Sequence, residues 1–248
     1  MKLIQAVSLA IAFTTSASAD ILSVHCPLGC PANSAENDLI FGHLYAIPNN
    51  PNTKFADWVA YEVNVTNFGD TPGRKWSSDP LLDRNKTLEA DDYKGASHSA
   101  LEADRGHQAP LASFAGSQYW SELNYLSNIT PQDKDLNQGP WKNLEAAVRH
   151  AVGFRNSLFV ITGPIYSANM PSMPGADEEH LVPNAYFKVI YNKKGDTAAF
   201  MMQQSSERND DYCQKAVTLA EIQEAIDFKL PNTLHVDQEI YARLDCQQ

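Results

Sequence analysis

Residues 3–13 (LIQAVSLAIAF) form a largely apolar run of eleven behind the positive charge of Lys2, and Ala17-Ser18-Ala19 follows as a small-residue cleavage site. That order predicts a secretory signal peptide over residues 1–19, cut after Ala19. Eleven residues are too few to cross a bilayer, which takes about 20. No later stretch reaches 18 consecutive apolar residues, so no membrane association is expected once the signal is removed. The remainder, residues 20–248, is then expected to fold as a single domain in an oxidising compartment, secreted or periplasmic, where thiols are free to pair.

Four cysteines fall in that remainder: Cys26, Cys30, Cys213 and Cys246. An even number in an exported chain suggests two disulfides, and four cysteines allow three pairings. Cys26–Cys30 with Cys213–Cys246 is the simplest arrangement. A zinc site is the competing reading, because Cys26-Pro-Leu-Gly-Cys30 has ligand-like spacing, but no second closely spaced Cys/His pair accompanies it.

The pattern of elements is mixed. Residues 20–57 are rich in Asn, Pro and Gly and read mostly as loop. Trp58–Val65 alternates in part and reads as a strand. Residues 66–100 are polar and turn-rich. Over 137–156, Trp141, Leu144, Val148 and Val152 recur at i, i+3, i+7 and i+11, one apolar helix face. Leu158–Thr162 reads as a buried strand ended by Gly163-Pro164. Ala185–Tyr191 and Ala198–Met202 read as a hairpin about Lys194-Gly195-Asp196. Thr218-Leu-Ala-Glu221 is a capping box opening a helix to about Phe228. Strands and helices without strict βαβ alternation predict an α+β class.

The chemistry gathers between Asp104 and Thr162. Asp104-Arg105-Gly106-His107 sets acid, base, glycine and histidine side by side, and the glycine permits close backbone approach to a ligand. Asn137 and Glu145 are eight residues apart, close to two helical turns, so both can project toward one region. A histidine near neutrality can take a proton from water. An amide oxygen and a carboxylate can hold a hard divalent cation, directly or through its water. Arginines match phosphate fork to fork. Together these are the parts for metal-assisted phosphodiester hydrolysis.

Asp104-Arg-Gly-His-Gln-Ala-Pro-Leu-Ala112 also resembles the signature of the DNA/RNA non-specific endonucleases, the ββα-metal nucleases of the Serratia nuclease type. Leu123-Asn-Tyr-Leu-Ser-Asn-Ile-Thr-Pro-Gln132, Asp135-Leu-Asn-Gln-Gly139, Thr53-Lys-Phe-Ala-Asp-Trp-Val-Ala-Tyr61 and Thr162-Gly-Pro164 follow the same pattern in order. The likeness runs from about Cys26 to Cys246. It implies an α+β fold with a central, mainly antiparallel sheet flanked by helices, the site lying on a strand/loop–helix element. It implies a hydrolase with DNA and RNA as substrates, bound through the phosphate backbone and cut to leave 5′-phosphate ends. His107 is implied as general base, Asn137 as the single direct protein ligand of Mg²⁺ (or Mn²⁺), and Glu145 as a holder of that metal through water. Arg105 and Arg74 are implied as phosphate-binding, Asn128 as a hydrogen-bonding support, and Asp104 as part of the site's architecture. The resemblance also implies the Cys26–Cys30 and Cys213–Cys246 pairings, and it allows a homodimer. The alternative is a non-catalytic secreted nucleic-acid-binding module on the same scaffold, against which stands the presence of every expected site residue.

Charge bears on that partner. With 19 Lys+Arg against 30 Asp+Glu the net charge is -11, which opposes a polyanion. The acid is unevenly spread, however. Residues 71–195, which hold every implied catalytic group, carry 13 basic and 14 acidic side chains, whereas the flanks 20–70 and 196–248 carry 1 and 6, then 4 and 10. The expectation is modest affinity resting on a few local cations.

Overall fold

The computed structural model describes residues 21–246; the expected signal peptide lies outside the described residues. In chain order the strands are β1 (Asp38–Phe41), β2 (Ala46–Asn50), β3 (Phe55–Ala56), β4 (Val59–Val63), β5 (Ala103–His107), β6 (Ile129–Asp133), β7 (Leu158–Ile165), β8 (Ala185–Tyr191), β9 (Asp196–Gln203) and β10 (His235–Val236). The helices are α1 (Lys134–Leu136), α2 (Lys142–His150), α3 (Leu219–Ala225) and α4 (Gln238–Arg243). Eight strands form one sheet in the order β1-β2-β4-β7-β8-β9-β10, with β3 on β2, and β5 pairs with β6 alone. Every pairing is antiparallel except β9 with β10.

The large sheet is covered on both faces, which is why β7 and β8 are buried along their whole length. Side-chain alternation sends Tyr61, Val160, Tyr186 and Ile190 to one face, where they meet Trp141, Leu144 and Val148 of the α2 region. It sends Trp58, Ala60, Phe159, Phe187 and Val189 to the other, against Ile222 of α3. α3 opens on the expected capping box, with Thr218 and Glu221 bonding reciprocally. A third cluster, including Tyr93, Leu126, Ile129 and Met173, lies beneath the β5–β6 pair.

Two strands followed by a helix carry the informative segment. β5 and β6 pair in register from Ala103↔Asp133 to His107↔Ile129, and the chain passes directly from β6 into α1. Asp133 caps α1 by accepting from the backbone of Asp135 and Leu136. Both disulfides are present, Cys26–Cys30 and Cys213–Cys246, and no free cysteine remains among the described residues, so the zinc reading is excluded. No helix among the described residues is long and apolar enough to cross a membrane.

Several boundaries differ from the periodicity. The helix expected over 137–156 is regular only from Lys142 to His150. Asn137–Trp141 is a widened turn, because Pro140 has no N–H to donate and the backbone leaves helical values at Gly139 (φ -109°, ψ -116°). At the other end Gly153 and Asn156 exchange backbone hydrogen bonds in a reversal that leaves Val152 outside the helix. α3 stops at Ala225, three residues short of Phe228. β7 continues through Gly163-Pro164: its β4 partner ends at the Val59↔Thr162 pair, so beyond Thr162 no β4 neighbour is left on that side for Pro164 to serve with a donor. Residues 20–57, read mostly as loop, contain β1, β2 and β3. Local propensity hides β2 (AIPNN), which is made a strand by its tertiary neighbours β1 and β4.

Candidate active site

A cavity of about 720 Å³ opens where β5 meets the α1–α2 segment. Arg74, Asp104, Arg105, His107, Asn137 and Glu145 all line it, so six residues separated by up to 71 positions share one wall system. Asn128 does not line it. That side chain is fully buried and uses its whole amide, accepting from Ala109 N (2.8 Å) and donating to Ala109 O (3.0 Å) and Leu123 O (2.9 Å). It ties the turn after His107 to the segment before β6.

His107 ends β5. Its Nε2 lies 3.2 Å from Asn124 Oδ1, so with that oxygen as acceptor Nε2 carries the ring proton and Nδ1 is the basic atom. Loss of hydration lowers the imidazole to about 4; the hydrogen bond to Asn124 opposes that shift and the nearby Arg74 adds to it. His107 is therefore neutral at pH 7. The Trp76 ring lies over it, with centroids 5.3 Å apart. His98 and His150, the nearest histidines on either side along the chain, do not line the cavity.

Asp104 determines how Asn137 is presented. Asp104 Oδ2 accepts from Asn137 Nδ2 (2.9 Å) and from Gln138 Nε2 (2.7 Å). A carboxylate accepts only, so both amide nitrogens face it and the oxygens turn away. Gln138 Oε1 then accepts from Arg208 Nη2 (3.1 Å), while Arg208 Nε pairs with Asp135 Oδ1 (3.0 Å). Asn137 Oδ1 accepts no hydrogen bond from the described residues and is the free atom of its amide.

Arg105 is held from behind. Its Nη2 donates to Ala90 O (2.8 Å), and its guanidinium carbon sits 5.1 Å from the Tyr93 ring centroid and 5.5 Å from that of Trp76. From the sequence, Gly106 beside it is expected to leave room for a ligand. What approaches instead is the neighbouring strand: a Cβ at Gly106 would lie 2.6 Å from the Gln132 side chain.

Glu145 lies at the cavity's inner end, with the buried Lys188 ammonium 3.9 Å from Oε1. Burial pushes the Glu145 carboxyl up, opposed by the charges of Lys188 and Arg149; burial likewise pulls the Lys188 ammonium below the usual lysine range. Arg105 Nε, Glu145 Oε1 and Arg149 Nη1 are buried without a hydrogen-bond partner among the described residues. All three belong to residues that line the cavity, where an arriving polar group can satisfy them.

Sequence reasoning missed Asn124, Lys142, Arg149, Arg208 and Lys188. Two were legible. Lys142, Glu145 and Arg149 follow i, i+3, i+7, the spacing of the apolar face displaced by one residue, and all three line the cavity. Arg208 arrives from after β9 and Lys188 from β8, so no local pattern announces either. Away from the cavity, Glu89, Asp92 and Glu178 place carboxylate oxygens within 4.8 Å of one another, a spacing that could hold a metal ion.

A family model described as DNA/RNA non-specific endonuclease matches residues 23–237. The nuclease of Serratia marcescens is 43% identical over 222 residues, a match covering 86% of this chain and 83% of that protein. Human mitochondrial endonuclease G is 30% identical over 161 residues, which span 59% of this chain and 52% of that one. A chain of the crystal structure of the EndoG/EndoGI complex superposes with a TM-score of 0.72 at 18% identity, over 90% of this chain and 97% of that one, and shows the same ββα-metal nuclease fold. On the family match and the identity to the Serratia marcescens nuclease, the chain belongs to the DNA/RNA non-specific endonuclease family and is an endonuclease, a hydrolase.

Proposed function

We propose that this is an exported, single-domain, sugar-non-specific endonuclease that hydrolyses DNA and RNA phosphodiesters with one Mg²⁺ ion and leaves 5′-phosphate ends. The observation that carries the reading is a neutral imidazole with a free Nδ1 in the same arginine-lined cavity as a fixed amide oxygen and a buried carboxylate.

The residues present fit a hydrated hard cation. Asn137 Oδ1 is turned away from Asp104 and unbonded, and Glu145 Oε1 is buried without a donor. These are oxygen donors of the kind Mg²⁺ takes when it keeps most of its water. Asn137 would hold the ion directly and Glu145 through water; Mn²⁺ suits the same atoms. Bound there, the ion would supply charge stabilisation for the reacting phosphate and its leaving group.

The chain's own groups do the rest. His107 Nδ1 takes the proton of the attacking water, and the Nε2–H bond to Asn124 holds the ring in the tautomer this requires. Arg105 and Arg74 offset the extra negative charge that builds on the phosphate in the transition state. Arg105 is placed for this by Ala90 O and two aromatic rings, at little entropic cost when substrate arrives. Contacts to phosphate carry no base information, which supports cleavage without sequence preference. Two disulfides and a leader-like segment favour an exported product.

Plasmid DNA and RNA incubated with the disulfide-intact protein and Mg²⁺, with and without EDTA, test the reading. Both polymers are expected to be cut, with EDTA and His107→Ala each abolishing cleavage. Intact polymers across a range of pH and divalent ions would sink it, and an active His107→Ala enzyme would move the base elsewhere.

A further inference from the structure

Lys188 is a charged side chain with no solvent exposure in the middle of β8. Strand alternation points it to the same face as Tyr186 and Ile190, the face that α2 covers. Its ammonium lies 4.2 Å from the Trp141 ring centroid, 3.4 Å from Tyr61 Oη, 3.4 Å from Thr162 Oγ1 and 3.9 Å from Glu145 Oε1. Thr162 Oγ1 donates its proton to Phe187 O, so it can only accept from Lys188. Three neutral partners thus fix the ammonium in place, and among the described residues the anion within reach is Glu145. Lys188 does not line the cavity, whereas Glu145 does.

Arg149 is the other cation near Glu145, four residues on in the same helix. It lines the cavity and can turn toward a phosphate. Lys188 is enclosed by the sheet and by Trp141 and cannot leave. At 3.9 Å it is too far from Oε1 for a hydrogen bond, so it balances the charge of Glu145 without occupying its lone pairs. A buried carboxylate holds its position only when a counter-charge accompanies it.

We propose that Lys188 is a positioning residue: a fixed charge in the sheet that anchors the Glu145 carboxylate toward the cavity and so sets the cavity's affinity for a hydrated divalent cation. This rests on the reading of Glu145 given under the proposed function. Lys188 itself touches neither substrate nor ion.

Mn²⁺ binding to the purified, disulfide-intact protein without nucleic acid, followed by calorimetry or by electron paramagnetic resonance, tests it. Lys188→Met is expected to weaken Mn²⁺ binding about tenfold, the range seen when outer partners of a ligand are removed. In the Glu145→Gln background the same substitution is expected to add nothing, since Lys188 acts through Glu145. Unchanged or tighter binding in Lys188→Met, or a full additional loss in the double variant, overturns the proposal. Far-UV circular dichroism checks that the variants fold, and a measurement on the unaltered side chain stands without them. The ¹⁵N resonance of the Lys188 ammonium is expected to shift on Mg²⁺ addition in the parent protein and not in Glu145→Gln; no shift in the parent also overturns it. Plasmid cleavage by the same preparation separates the two readings. Cleavage by the parent with Mn²⁺ affinity indifferent to Lys188 removes only this inference, whereas a parent that cuts nothing removes both.

Discussion

At the scale of single residues, direction matters more than presence. Asp104 can only accept, and that orients two amides at once. Asn128 is the opposite case, a residue whose work is wholly internal. Asn128→Ala strands Ala109 N, Ala109 O and Leu123 O inside the protein, and is expected to cost about 3 kcal/mol of stability; urea unfolding measures it. A variant as stable as the parent would show that the bracket is dispensable. His107 makes a prediction in pH. Protonated, it cannot act as a base, so kcat/KM rises with pH through its pKa, held at about 4 where an ordinary imidazole titrates at 6.5. The acid limb of the profile is therefore expected well below 6.5. The same group destabilises the fold in acid, because the unfolded imidazole takes a proton near 6.5 that the folded one refuses until about 4. Stability is full above that window and falls as pH drops through it, a slope that His107→Gln is expected to flatten.

Among elements, the ββα segment shows what periodicity can and cannot reveal. The stripe Trp141, Leu144, Val148 correctly locates the buried face of α2, and the capping box correctly locates the start of α3. The two faces of one helix then carry both jobs: the apolar stripe docks on the sheet while Lys142, Glu145 and Arg149 face the cavity. The widened turn before α2 has a local cause in Pro140 and a second one from elsewhere in the chain, which no local pattern announces. A Cβ on Gly139 would lie 2.4 Å from Arg208 O, backbone that cannot easily give way. Gly139→Ala is expected to cost roughly 1–3 kcal/mol by overpacking. It should also lower cleavage more than a surface substitution of equal stability cost, since it displaces Asn137 two residues away. Thermal unfolding beside plasmid cleavage checks both, and a stable, fully active variant would show that the turn adapts freely. β2 was missed for the reason Gly139 was: its conformation is imposed by partners, and AIPNN has little strand tendency of its own.

Across the whole molecule, the -11 net charge no longer argues against a polyanionic substrate. Arg74, Arg105, Lys142, Arg149 and Arg208 line the cavity against Asp104 and Glu145 alone, so the local balance is positive in an acidic protein. Fields act locally, screened beyond about 10 Å at ordinary ionic strength. Five cations bound the salt dependence. With roughly 0.9 per neutralised phosphate, the slope of log affinity on log salt is expected to be no steeper than about -4.5 on duplex DNA. Binding measured from low to moderate salt with the His107→Ala variant checks this, and a slope near -8 would place basic surface outside the cavity. The Cys213–Cys246 bond fastens the end of α4 to the segment after β9, while Tyr241 Oη accepts from Ala199 N at the sheet. The C-terminal flank thus serves as a buttress, its acid kept outside the cavity.

The order of blocks along the chain determined the family resemblance, the general shape of the fold, the disulfide pairs it implied and six of the residues that line the cavity, because adjacent residues on a strand or a helix keep fixed relations wherever the element goes. Only the tertiary structure decided which way each polar atom faces. Asn137 Oδ1 is free because Asp104, on β5, takes the amide nitrogen, Nδ1 of His107 is basic because Asn124 takes the other nitrogen, and Glu145 is backed by a lysine from β8. Hydrogen bonds and charges act over a few ångströms of space without regard to distance along the chain, and no local pattern records them.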